Sequence, residues 1–328
     1  MPRQRAVRLG LAAVVLLSTL VVLVLLAPWY GWGMKGQGAD EVELLVPRGA
    51  TLSAVARDME QAQLISSQRR FRLLARALGQ ERPVQAGRYR LNAGAPWKTY
   101  LEILQQGRVV RQFLTISEGM PSVMVAERLA AEPRLSGDVD VPAEGSVLPQ
   151  TYDFTDGEAR AAVLARMQAA MDRTLAELWP KRTSRAVVKT PEEAIILASI
   201  VEKETGKASE RRTIAGVYSN RLRIGMKLDA DPTVIYPITK GRPLGRRIRR
   251  SELDADTGYN TYARPGLPLG PIANPGRESI AAVLDPAETE ALFFVADGSG
   301  GHVFAATLAE HNANVQRWYA LRRSRGEM

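Results

Sequence analysis

Apolar residues fill nearly every position from Leu9 to Trp32, and nowhere later do they form so long a run. An unbroken run of this kind predicts a helix that is apolar on all sides, and roughly 20 such residues cross the hydrocarbon core of a bilayer. Arg3, Arg5 and Arg8 precede it. The positive-inside rule therefore keeps residues 1–8 cytoplasmic and sends the rest of the chain across the membrane. Trp29, Tyr30 and Trp32 fall at the far interface, where amphipathic rings are favoured. A cleaved signal peptide is the competing reading. Its apolar core is usually shorter, and no small-x-small site precedes Pro28, so residues 9–32 are expected to be a retained anchor and residues 33–40 a Gly-rich linker.

Downstream, the spacing of apolar positions changes. Glu41–Pro47 alternates like a strand, 52–59 and 67–78 have helical spacing, 85–91 is strand-like, 96–104 is helical up to Gly107, and 109–117 alternates again. These elements predict a small βααβαβ unit over residues 41–117. The letters VPRGATL (46–52), followed by a short helix and Ile65, resemble a LysM module. That resemblance implies binding of N-acetylglucosamine-containing glycan, although an ordinary βα turn shares the pattern. Residues 118–328 form a second, larger region. Helices are expected over 123–131, 156–178, 210–223 and 308–323, with an Asp-Pro helix start at Asp231 and a hairpin over 292–305. Between them lie a turn at 144–152, a basic loop at 240–250 (KGRPLGRRIRR) and a long Gly/Pro-rich stretch at 266–276, a length typical of binding loops.

One helix stands apart. Thr190 is placed to cap it, Pro191 suits its first turn, and Glu193 fits a capping box. Residues 194–201 (AIILASIV) are then apolar nearly all round, which predicts burial. This helix runs straight into Glu202-Lys203-Glu204. A carboxyl group at the end of a buried helix is a candidate for a raised pKa and for proton transfer. Glu202 and Glu204 are about 200° apart around a helix and cannot share a face. Glu204 extends the more apolar stripe through Ile200 and Val201, a modest preference on geometry alone. Glu202 has a structural alternative in pairing with Arg211 or Arg212.

Composition narrows the chemistry. The chain has no cysteine and only His302 and His311, so disulfides, thiolate metal sites and cysteine nucleophiles are excluded, and neither metal nor cofactor is expected. Lys plus Arg (44) exceed Asp plus Glu (35) by 9, which favours anionic partners. An extracytoplasmic location makes nucleic acid an improbable one.

ASIVEKET (198–205), NRLRIGM (220–226), DPTVIY (231–236), YNTY (259–262), GLPLGPIANPG (266–276), FVADGSGGH (294–302) and HN (311–312) occur in this order. Together they resemble the endolytic murein transglycosylases of the MltG (YceG-like) family, across essentially the whole chain. Leu269 departs from the family pattern, which usually has a second proline there. The resemblance implies an α+β fold: an N-terminal transmembrane helix, a small LysM-like domain and a catalytic domain with a lysozyme-like site. It implies a single-pass inner-membrane enzyme, periplasmic beyond the anchor, that cuts the MurNAc-β-1,4-GlcNAc bond within nascent strands and leaves 1,6-anhydro ends. It also implies penicillin-binding proteins and the elongation machinery as partners, and Glu204 as the essential carboxylate.

That chemistry needs one carboxyl group rather than the usual glycosidase pair. The acid protonates the glycosidic oxygen, and the resulting carboxylate takes the proton of the muramoyl C6 hydroxyl as that oxygen attacks its own anomeric carbon. Asp229, Asp231, Thr233, Tyr236, Tyr259, Asn260, Tyr262, Asn274 and His302 are expected to line a sugar cleft, with Glu202 and Glu144 in support. Two other readings remain at this point: a muramidase-type hydrolase with Asp229 or Asp231 as second carboxylate, and a non-enzymatic glycan-binding scaffold for wall synthases.

Overall fold

The apolar N-terminal run folds as one helix, α1 (Pro2–Tyr30), whose stretch from Leu11 to Tyr30 is long and apolar enough to cross a membrane. The computed structural model describes residues 2–32, 40–79 and 82–327, with side chains from residue 11 onward. The side chains of Arg3, Arg5 and Arg8 and the linker over 33–39 lie outside the described residues. Side chains from Leu11 to Leu25 are exposed, but the last turn differs from the interfacial belt expected of it. Trp29 is buried, 6.3 Å from the Phe71 ring, which in turn meets Trp97 edge-on at 6.0 Å. Packing on the Phe71 ring in a protein core removes more apolar surface from water than an interfacial site does. Tyr30 and Trp32 stay exposed and stack on each other.

The chain forms a mixed α+β structure of two compact units. The first comprises Met1–Gln112 with Thr155–Gly157. In it, β1 (Glu41–Val46) pairs antiparallel with β2 (Gly87–Asn92), in register from Glu41 opposite Asn92 to Val46 opposite Gly87. Period-two alternation sends Leu44, Val46, Tyr89 and Leu91 into the core. Between the strands lie α2 (Leu52–Gln61), capped by the Thr51 hydroxyl, and α3 (Gln68–Leu78), capped by Ser67. The next helix, α4 (Trp97–Gln106), ends at Gly107 in the left-handed conformation, where a side chain is disfavoured. The observed order is thus βααβα. The strand expected to close this unit, β3 (Gln112–Thr115), pairs instead with β4 (Thr151–Phe154), whose first residues the sequence suggested were turn. Four residues of alternation specify a strand but not its partner.

The second unit comprises Phe113–Phe154 and Glu158–Met328. After β3 come α5 (Ser122–Ala130), β4, α6 (Arg160–Leu178), α7 (Pro191–Glu204) and α8 (Arg211–Arg223). Then follow α9 (Asp231–Thr239), α10 (Arg250–Asp254), α11 (Arg277–Leu284), the hairpin of β5 (Phe293–Ala296) with β6 (His302–Ala305), and α12 (Leu308–Ser324). Helix α11 is not among the expected elements, yet Ser279, Ile280 and Ala282 to Leu284 are all buried in it. Helix α7 runs through this core, with Ala194, Ile195 and Leu197 to Val201 buried. Its cap is close to expectation: the Thr190 hydroxyl accepts from Glu193 N at 3.2 Å, but the Glu193 carboxylate reaches Lys189 N rather than Thr190 N.

Candidate active site

The Gly/Pro-rich stretch folds directly onto α7. Ile272 N donates to the Ser199 hydroxyl at 3.1 Å, and Gly276 N donates to Glu202 Oε2 at 2.9 Å. Gly145 permits the adjoining turn to approach. Its φ is +78°, and a Cβ there would lie 2.7 Å from Ile195 Cγ2 and from Pro271 Cγ. Leu269 has a role that proline could not fill, because its N–H donates to Gly258 O at 3.1 Å while its side chain points to solvent.

The two suspect carboxylates therefore meet different fates. Glu202 has a side chain only 5% exposed, holds the loop through Gly276 and lies 3.7 Å from Arg211, which also pairs with Glu118 at 2.8 Å. Glu204 opens into a cleft of about 440 Å³ lined by Tyr218, Arg221, Asp229, Asp231, Tyr262 and His311 along with Leu228, Phe293, Phe294 and Leu308. Burial pushes its pKa up to about 7, and the charge of Asp231 pushes the same way. A hydrogen bond from the Tyr218 hydroxyl and the charge of Arg221 pull it back. A carboxyl group poised near neutrality can give up a proton and then take one.

The rest of the cleft holds these groups in place. Arg221 is nearly buried; its Nε donates to Leu292 O at 2.6 Å and its NH1 to Leu228 O at 2.7 Å, and it lies 3.6 Å from Asp229 Oδ2. Asp229 has φ +48°, a left-handed position that aspartate tolerates, and burial raises its pKa. Asp231 opens α9 and accepts from the Tyr262 hydroxyl at 2.6 Å. His311 stacks on Phe293 at 5.2 Å, and burial, with Arg221 adding to it, lowers its pKa.

Of the residues expected to line a sugar cleft, the structure thus brings Asp229, Asp231 and Tyr262 to Glu204. Several others are committed elsewhere. Thr233 is buried, with its hydroxyl bonded to Ala230 O and Thr261. Asn260 is buried, and its amide donates to Leu253 O and Ala255 O. Asn274 is fully buried; it accepts from Val147 N and donates to Met120 O and Ser122 Oγ. His302 packs on Phe294 and pairs through Nδ1 with Glu210 at 2.7 Å, fixing the β5–β6 hairpin to the start of α8. A buried amide or hydroxyl needs a partner, and each of these has found one in the backbone or a neighbouring side chain rather than facing the cleft. Glu144 forms a separate cluster: it accepts from Ser122 N at 2.8 Å and from Tyr236, and burial raises its pKa. The Tyr236 ring lies 5.0 Å from that of Tyr259. Tyr218 and Arg221 are the cleft residues least visible beforehand. Their spacing on α8, with Ile214 and Val217, marks a buried face, and an arginine on such a face was the available signal.

A model of the YceG-like family matches residues 44–317. The chain belongs to the YceG-like family. An endolytic murein transglycosylase of Bacillus subtilis is 28% identical over 309 residues, which cover 84% of each chain. One from Streptococcus pneumoniae is 33% identical over 178 residues, 52% of this chain and 31% of that one. A crystal structure of a YceG-like protein from Listeria monocytogenes matches at TM-score 0.52 and 26% identity, spanning 84% of this chain and 99% of that one.

In this YceG-like chain the hydroxyl of Tyr218 stabilises the charged form of Glu204, so its removal has a directional effect. Tyr218→Phe should raise the Glu204 pKa further and move the alkaline limb of the pH–rate profile upward by about half a unit to one unit. An unmoved limb would show that the two side chains do not interact in the working enzyme.

Proposed function

We propose that this chain is a membrane-anchored endolytic murein transglycosylase in which Glu204 serves first as acid and then as base. The observation carrying this reading is the single carboxyl group raised to about 7 at the end of a buried helix, opening into a cleft. Protonated Glu204 donates to the glycosidic oxygen as the C1–O bond of the muramoyl residue breaks. The carboxylate left behind then accepts the C6 hydroxyl proton as the C6 oxygen bonds to C1. The glycosidic bond is exchanged for an internal 1,6-anhydro bond, no water is consumed, and Glu204 ends protonated for the next cycle. The intramolecular nucleophile has a high effective molarity, which lowers the demand on the enzyme. Asp231 acts here through charge, raising the pKa of the acid, while Tyr262 holds it in place.

The antiparallel pairing of β1 with β2 around α2 and α3 supports reading the first unit as a LysM-like glycan-binding module. The arginines at the start of α1, ahead of its apolar run, support an inner-membrane anchor with the catalytic part periplasmic. Penicillin-binding proteins and the elongation machinery are the partners that the family resemblance suggests.

Asp229 and Asp231 line the same cleft, which keeps the two-carboxylate hydrolase in view. Mass spectrometry of digested glycan separates the two: anhydro ends support the transglycosylase, and reducing ends one water heavier defeat it. The pH dependence follows from the acid step. Cleavage requires protonated Glu204, so kcat/KM should fall about tenfold per pH unit above about 7. A rate flat from pH 6 to 9 would remove Glu204 as the acid.

A further inference from the structure

The end of α1 belongs to two environments at once. Its Trp29 side chain is in the core of the first unit, and Arg70 of α3 reaches back along the helix, donating from Nε to Leu25 O at 3.1 Å and from its terminal nitrogen to Val24 O. From Leu9, the first residue after the arginines, to Leu25 a helix rises about 25 Å. The hydrocarbon core is about 30 Å thick. With α1 as the membrane anchor, no spacer separates lipid from this unit, and α3 arrives at the headgroup layer.

The composition of α3 suits that position. Its sequence, QRRFRLLARAL, has four arginines and no acid. Phe71 and Ala75 face the core. Arg69, Arg72 and Arg76 share the opposite face with Leu73, which is 69% exposed, and no described side chain pairs with these three arginines. With Arg82 they border a groove of about 560 Å³ that is apolar at Leu101 and has no aromatic ring in its lining on which a sugar could stack. Guanidinium groups match phosphate oxygens, and arginine stems bury their carbons while the charged heads stay at the interface.

We propose that the outer face of α3 is a binding site for anionic phospholipid headgroups. Arg69, Arg72 and Arg76 hold the phosphodiesters, and Leu73 enters the acyl boundary. The site would seat the first unit on the bilayer surface. The inference rests on reading α1 as a membrane anchor.

The chain contains no cysteine, so single spin labels can be placed without background. The full chain carrying Leu73→Cys is reconstituted in nanodiscs of phosphatidylcholine alone or mixed with phosphatidylglycerol. Accessibility of the label to oxygen and to an aqueous nickel chelate is then measured. The expected result is a shift toward oxygen and away from the chelate in the anionic discs, lost when Arg69, Arg72 and Arg76 are all changed to Gln. Equal accessibility in both discs overturns the proposal, as does a shift that survives the triple substitution. Shielding by added glycan strands instead of anionic lipid overturns it in favour of a glycan site. A label at Val15→Cys separates the two readings. If it reports lipid while residue 73 stays aqueous, only the headgroup site fails. If it reports water, the anchor fails and the proposal with it.

Discussion

Glu204→Gln should fold, bind glycan and cut it about 1,000-fold more slowly, within the range that general acid–base catalysis contributes. Anhydro-product release by variant and wild type, side by side, measures this. Cleavage within tenfold of wild type would remove Glu204 from the mechanism. The same substitution should make the protein more stable at alkaline pH. Glu204 is raised to about 7 in the folded chain, against an ordinary value of 4.5. Below 4.5 the carboxyl is protonated in both folded and unfolded states and costs nothing. Between 4.5 and 7 the unfolded chain ionises while the folded one does not, so stability falls as pH rises. Above 7 the full penalty of about 3 kcal/mol persists. The variant should therefore match wild type at pH 4 and exceed it by about that amount at pH 8, in thermal or urea unfolding. An acid kept protonated by burial is a cost to the fold, and the proposed acid step is what that cost would serve.

The second large effect is on structure. Arg221→Met should destabilise the second unit by about 2–4 kcal/mol, because the carbonyls of Leu228 and Leu292 lose their charged donor and are left unsatisfied. The guanidinium bonds to the carbonyls of Leu228 and Leu292 and faces Asp229, so it joins the chain just before α9 to the chain entering β5. Hydrogen exchange at the amides of β5 and β6 is the direct readout. Exchange should accelerate there and at Asp229–Asp231, and cleavage should fall as the cleft wall loosens. Unchanged protection at both places would mean the arginine does not join them. A lysine in its place would restore the charge but not the fork of donors that spans two carbonyls.

Legibility followed the range of the interactions. Helix α7 could be read because its signals are local: a hydroxyl at Thr190, a proline at its first position, then a run of eight letters apolar but for Ser199, and two carboxylates. Strands β1 and β2 were legible for the same reason, as was the glycine that ends α4. Glu204 and Glu202 lie on opposite sides of one helix and could be separated only weakly, because the apolar surface that would discriminate them runs almost all the way round. What separates them in space is a nonlocal contact, Gly276 N on Glu202. The polar residues expected in the cleft illustrate a second limit. Asn260, Asn274, Thr233 and His302 look like sugar ligands in a string of letters. In the fold each is an internal brace, because irregular backbone packed on a buried helix requires side-chain partners in just those places. Tyr218 is not legible in the letters, because a tyrosine on an apolar helix face reads as packing, and only the carboxylate opposite gives its hydroxyl a task.

The burial of Trp29 has a practical consequence for anyone producing this protein without its apolar N-terminal helix. A recombinant version begun at Asp40 would lack the indole that packs on Phe71, leaving a void beside that ring and its neighbour Trp97. Emptying a buried tryptophan site costs about 3–5 kcal/mol, a large share of what a unit this size has to spare. A shortened protein with a poorly behaved first half and an intact second half is the expected product. Beginning the sequence near Leu25 and replacing the remaining exposed leucines with polar helix formers would keep the indole in its socket.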